Sequence, residues 1–339
     1  MGIEQGGFFL EDQEKNKNDL ETILSPEQFK FLEKEKAVRE LTLSSDGKIN
    51  ASEENQAIAE KVQLWKSKEG VIDVSSLDGI LMVVYNSGEK VPEGCRDLRT
   101  IESHGGKSRA GEYNPEDNVC SIDISGTYSF LEDKYRAEWV QQTMRHELRH
   151  GLVNHEDIKY GNEIGKPSRR DFDEKLLNPE DYVQLTYLDE LHSQYFDVLE
   201  GDIEGKNSFR TIESDFYTTA GSGNHSEISS GTEEGKESAK EIFYILQGFI
   251  ISKRMTEKES HSEMSEKIDE MSMAAGVVLA TERSLSRASD KIKKIWNKLV
   301  TNEEFKNKIS QFLKEYKPEP TGANNTPELE GLPSTILNK

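Results

Sequence analysis

The sequence changes period between residues 119 and 154, and that change limits the folds open to it. V-C-S-I-D-I, at 119–124, alternates apolar and polar residues as a half-buried strand does. From about 133 to 154 the apolar residues return at helical spacing, through Trp139, Val140, Met144, Leu148 and Leu152. A strand that buries one face and a helix that buries one stripe must each find a partner layer. Two more strands are expected just upstream, in V-I-D-V at 71–74 and I-L-M-V-V-Y at 80–85. The pattern predicts an α+β fold with a small sheet beside a long helix.

That helix carries H-E-L-R-H at 146–150. Residues four apart share a helix face, about one turn from each other. His146 and His150 can therefore present two imidazoles to one metal ion, and zinc suits neutral imidazole. Glu147 is turned about 100° away and need not bind the metal. It can act as general base toward a water that the metal activates. The competing reading is a solvated charged face that happens to hold two histidines. Histidine is scarce, at 7 of 339 residues. The amphipathic helix and the strand before it favour the metal reading.

A-G-E-Y-N-P-E-D-N-V-C-S-I-D-I-S at 110–125, followed by M-R-H-E-L-R-H-G, resembles the zincin metallopeptidases. The resemblance runs from Ile80 to Leu199. It implies a zincin-like core, a small mixed sheet with an edge strand over the H-E-x-x-H helix. A substrate backbone would add to that edge as an extra strand. It further implies a zinc metalloendopeptidase whose partner is a protein or peptide substrate.

Catalytic zinc usually has three protein ligands and one open position. The metzincin pattern would need Gly and then His after the motif; Val153 and Glu156 stand there instead. His155, one residue short, is a minor candidate. The gluzincin pattern takes a glutamate from a later helix, and Y-L-D-E-L-H-S-Q-Y-F-D at 187–197 matches it. On that helix Leu185, Leu188, His192, Phe196 and Leu199 share one face, and Glu190, Ser193 and Asp197 the other. The resemblance thus points to His146, His150 and Glu190 as the zinc ligands. Gln194 stands where gluzincins place an aspartate that supports a zinc-binding histidine. His192 competes as a ligand, but on the apolar face a hydrogen-bonded core histidine is the plainer reading. Oxyanion stabilisation needs a donor. Tyr160, Tyr182, Tyr187 and His155 lie downstream, and Tyr187, one turn before Glu190, leads. Arg145 and Arg149 either pair with acidic neighbours or orient substrate.

Around this core the expected plan is a helical N-terminal extension at 1–70, the metallopeptidase core at 71–216 and a flexible loop or linker at 217–235. A helical region at 236–316 and a disordered tail at 317–339 follow. S-P-E-Q at 25–28 reads as a capping box opening a helix that runs to about 43. Ser52 caps a second helix. Helices are expected at 236–256, 258–297 and 302–316. A long Gly-, Pro- and Asn-rich excursion fills 86–117.

Sixty-four acidic against 43 basic residues give a net charge of −21. Such a surface repels phosphate backbones and anionic lipid, so neither nucleic acid nor membrane is expected as a partner. Cys95 and Cys120 read as reduced thiols rather than a disulfide framework. No apolar run reaches the ~20 residues of a membrane span, and no Sec signal is seen. The expected location is cytoplasmic, with export as a toxin or effector without a Sec signal as the alternative. The alternative to an enzyme is a degenerate zincin-like acidic interaction protein. Oligomeric state is not legible.

Overall fold

The computed structural model describes residues 20–40, 42–43, 49–50, 72–74, 80–85, 111–115, 118–123, 133–164, 179–200, 233–256 and 262–315. The elements run α1 (Pro26–Arg39), β1 (Thr42–Leu43), β2 (Ile49–Asn50), β3 (Ile72–Val74), β4 (Ile80–Tyr85), β5 (Gly111–Asn114) and β6 (Val119–Asp123). Helices α2 (Asp133–Ile164), α3 (Pro179–Leu199), α4 (Glu233–Thr256), α5 (Glu263–Thr281), α6 (Leu285–Val300) and α7 (Glu303–Glu315) complete the order. The fold is α+β and mostly helical. The expected helix after Ser52, Cys95 and most of the excursion around it, the linker up to 232 and the tail from 317 lie outside the described residues.

The chain divides into two compact units, one of Phe31–Thr219 and one of Met1–Lys30 with Ala220–Lys339. The division falls inside α1. Residues from Phe31 onward join the sheet-bearing unit because they supply part of its core: Phe31, Leu32 and Val38 are buried.

In that unit four strands form a mixed sheet in the order β3-β4-β6-β5. β4 and β6 are parallel, with Leu81 opposite Val119 and Tyr85 opposite Asp123. β5 and β6 form an antiparallel hairpin that pairs Gly111 with Ile122 and Asn114 with Val119. Asn118, in the turn between them, has φ 56°, a conformation that Asn tolerates better than most residues. Among the described strands β5 is an edge of the sheet. Cys120 and Ile122 lie in the core, but Val119 and Ser121 are buried too, so β6 is covered on both faces and not half-buried as its alternation suggested. The strands expected at 71–74 and 80–85 are β3 and β4.

Helix α2 packs against β5 and β6. Its Met144, Leu148, Leu152 and Val153 are buried, as are Ile80 and Met82 of β4. Full burial of each such side chain contributes roughly 1.5–3 kcal/mol. The approach is close at Gly151, where a Cβ would lie 2.6 Å from Ile80 Cδ1 and 3.2 Å from Tyr113 Cε2. The helix runs on past 154 to Ile164; Gly165 and Pro167 follow in the sequence. Helix α3 opens on Pro179, a residue suited to the first helical turn, and packs along α2. Leu188, Leu191, Tyr195, Phe196 and Leu199 form its buried face.

The other unit is helical. The capping box forms as expected: Ser25 N–H donates to Gln28 Oε1 at 2.9 Å and Gln28 N–H to Ser25 Oγ at 3.2 Å. One helix was expected over 258–297, but two form, α5 and α6. Glu282 and Ser284 take extended backbone, and Ser284 Oγ accepts from Arg287 N, capping α6. The apolar run at 242–251 lies within α4, with Ile242, Leu246, Phe249 and Ile250 in the core. The Met264, Met271 and Met273 stripe is buried core too. No described helix is long and apolar enough to cross a membrane.

Candidate metal centre

The two motif histidines emerge from α2 toward α3. Their Nε2 atoms lie 3.1 Å apart. Glu190 Oε2 of α3 lies 3.9 Å from His150 Nε2. His146, His150 and Glu190 each offer a ligand atom, all within 4.8 Å of one another. A tetrahedral zinc with ~2.0–2.1 Å bonds holds its donors about 3.3 Å apart. The two imidazoles already match that spacing, and the Glu190 carboxylate would have to move toward them to complete it. The structure therefore brings together the three residues expected as ligands.

Each imidazole is held from behind. His146 Nδ1 faces Asp197 Oδ2 at 2.7 Å, and His150 Nδ1 faces Asp189 Oδ1 at 2.9 Å. Ionised carboxylates only accept, so both Nδ1 atoms carry hydrogen and both Nε2 atoms are turned to the shared point. Gluzincins place such support at the position of Gln194; here Asp189 and Asp197 supply it. The signal for Asp197 was in the sequence, on the same face as Glu190. Asp189 is next to Glu190 and lies at the edge of that face.

Charges around the site follow from burial against neighbours. Burial opposes a positive His150, yet Asp189 and Glu190 outweigh it and lift its pKa to about 10. His146 is raised as well, where Asp197 overcomes the cost of burial. Burial raises the Glu147 carboxyl above its usual range, and the two histidines pull it partly back. A carboxylate with a raised pKa is a better base near neutrality than an ordinary one.

Glu147 is buried beneath the edge strand. The Tyr113 backbone N–H donates to its carboxylate. Gly111 lies against it: a Cβ there would stand 2.8 Å from Glu147 Cγ and 2.9 Å from Oε1. Only glycine leaves that space, and nothing in the sequence announced it. Cys120, opposite Tyr113 in the sheet, is buried, and burial with the nearby Glu147 charge pushes its thiol well up. It stays protonated.

The remaining candidates are placed as follows. His192 is fully buried and donates from Nε2 to Glu35 Oε1 at 2.8 Å, as a core histidine rather than a ligand. His155 Nε2 lies 2.9 Å from Asn118 Oδ1, at the hairpin turn. Tyr187 is buried and its hydroxyl oxygen is shielded from solvent, which does not favour contact with a substrate oxyanion. The side chains of Tyr160 and Tyr182 lie outside the described residues. Arg145 and Arg149 pair with acidic neighbours, Arg145 with Glu200 at 3.0 Å and Arg149 with Glu35 at 3.1 Å.

Comparison with known protein families, curated proteins and solved structures finds no match to this chain. The site's chemistry rests on its own geometry.

Proposed function

We propose that this protein is a zinc-dependent metallopeptidase with a zincin-like core. His146, His150 and Glu190 would hold the ion. The observation that carries this reading is the convergence of these three donors beside Glu147, under the edge strand β5. Zinc, when bound, supplies a Lewis acid that polarises a carbonyl and acidifies water. Glu147 takes the proton of the attacking water and delivers it to the leaving amine. The Tyr113 N–H and the close approach of Gly111 fix where its carboxylate points. Asp189 and Asp197 keep both imidazoles in the tautomer that leaves Nε2 free. The edge of β5 suits an extended peptide, whose backbone can pair with it. Tyr187 was expected to steady the oxyanion; its buried hydroxyl gives it no part in this scheme.

The test is metal content by mass spectrometry, with casein and a peptide library as substrates. The wild type and Glu147→Gln should carry about one zinc each, and only the wild type should cleave. His150→Ala and Glu190→Ala should lose the metal while folded, and His192→Ala should not lose it through ligation. A folded wild type that takes up no zinc on reconstitution would leave the acidic interaction protein as the better reading.

A further inference from the structure

The side chain of Arg149, between the two motif histidines in sequence, turns away from the ligand atoms. It is fully buried and touches three carboxylates. Nε donates to Glu35 Oε2 at 3.1 Å, Nη1 to Asp197 Oδ1 at 3.4 Å, and Nη2 pairs with Glu200 Oε1. The guanidinium lies 4.6 Å from the centre of the Phe196 ring, which fixes its plane. Each of these partners is committed elsewhere as well. Glu35 gives its second oxygen to His192, and Glu200 gives its second to Arg145. Asp197 gives its second to His146 Nδ1.

An arginine needing only charge balance would be served by Glu35 and Glu200. Its third contact goes to the carboxylate that orients a metal ligand. With both oxygens taken, Asp197 has one setting, and that setting aims His146. We infer that Arg149 is a positioning residue for the metal, acting through Asp197 on His146 and anchored to α1 by Glu35. This rests on the metal reading above and extends it to residues that touch no ligand atom. The planar fork is essential: lysine keeps the charge but cannot hold three carboxylates in fixed directions.

The experiment measures zinc affinity of the full-length chain by chelator competition. Cobalt absorption serves as a second reading of ligand geometry, and circular dichroism as the check on folding. Asp197→Asn should weaken zinc by about 10- to 100-fold, the usual effect of losing such support. Arg149→Lys should weaken it in the same range and alter the cobalt spectrum. The double variant should bind no more weakly than Asp197→Asn alone, because both changes act on one contact. Arg149→Lys combined with Asp189→Asn, which supports the other histidine, should show losses that multiply. Should Arg149→Lys fail to fold, Glu35→Gln, which keeps the shape and removes the anchor's charge, should weaken zinc several-fold and again add nothing to Asp197→Asn. If the wild type binds zinc and Arg149→Lys binds equally well, or its loss multiplies with that of Asp197→Asn, the relay is wrong and the metal site stands. A wild type that binds no zinc overturns both.

Discussion

The geometry predicts that in the metal-free chain the two imidazoles share one proton, which a metal must displace. Both Nδ1 atoms donate to carboxylates, so the facing Nε2 atoms, 3.1 Å apart, have one hydrogen to hold between them. With its pKa at about 10, His150 keeps that proton at neutral pH. Removing it near pH 7 costs about 4 kcal/mol, roughly three steps of ~1.4 kcal/mol. Zinc affinity should therefore climb about tenfold per pH unit from about 7 to about 9, with about one proton released per ion. Chelator competition across that range gives the slope. Calorimetry in two buffers of different ionisation heat counts the proton. A flat profile with no proton released would refute the shared-proton geometry. Stability carries the linked sign. The folded pKa lies above the ordinary 6.5, so protonation stabilises the metal-free fold fully below that pH. The stabilisation is lost as pH rises toward 10. Between those values the Tm of the metal-free chain should fall more than that of the zinc-loaded chain.

Glu147→Gln should cut peptide cleavage by about 10²- to 10⁴-fold with zinc content unchanged, since it removes the base and no ligand; kcat and metal analysis on one sample decide it. Gly111→Ala should lower kcat with zinc retained, because its Cβ would fall 2.8 Å from Glu147 Cγ and 2.7 Å from Thr143 Cγ2. In the helical unit, Gly248→Ala would set a Cβ 2.7 Å from the Trp296 ring. Overpacking there should cost about 1–3 kcal/mol in denaturant unfolding, with metal binding untouched.

What was legible in the sequence was local. The capping box at Ser25 and Gln28, the position of strand β6 and the core placement of Leu188, His192, Phe196 and Leu199 on α3 follow from spacing, whereas the burial of Leu191, Ser193 and Tyr195 does not. The split of Glu190 from His192 follows from spacing too: one helical period puts the first among polar residues and the second among apolar ones. Glu35 was not legible. It meets Arg149 and His192 across 114 and 157 positions of sequence, and no periodicity reaches that far. Gly111 was hidden for another reason. A glycine in a turn-rich stretch looks like any other until the helix beneath it is known to press Glu147 against it. The break at Glu282 turns on a local competition: T-E-R-S offers a serine cap, and the cap prevails over a continuous helix.

The interface between α2 and α3 supports the proposal that the site is more than a stabilising device. Arg145, His146, Arg149 and His150 face Asp189, Glu190, Asp197 and Glu200, and most of these side chains are largely buried. Burying so many charges costs desolvation that their attraction does little more than offset, and apolar residues of similar size would hold two helices together as well. A sequence chosen only for stability would continue the leucine and phenylalanine face of α3 around the helix. Here that face stops, and polar residues begin where the motif histidines point. The carboxylates are also divided by task. Glu190 meets Nε2, where a metal would lie, while Asp189 and Asp197 meet Nδ1, where they set the tautomer. Charge pairing alone would not sort three acids between the two sides of two rings. Presenting two Nε2 atoms and one carboxylate to a single cation, once the shared proton is displaced, would.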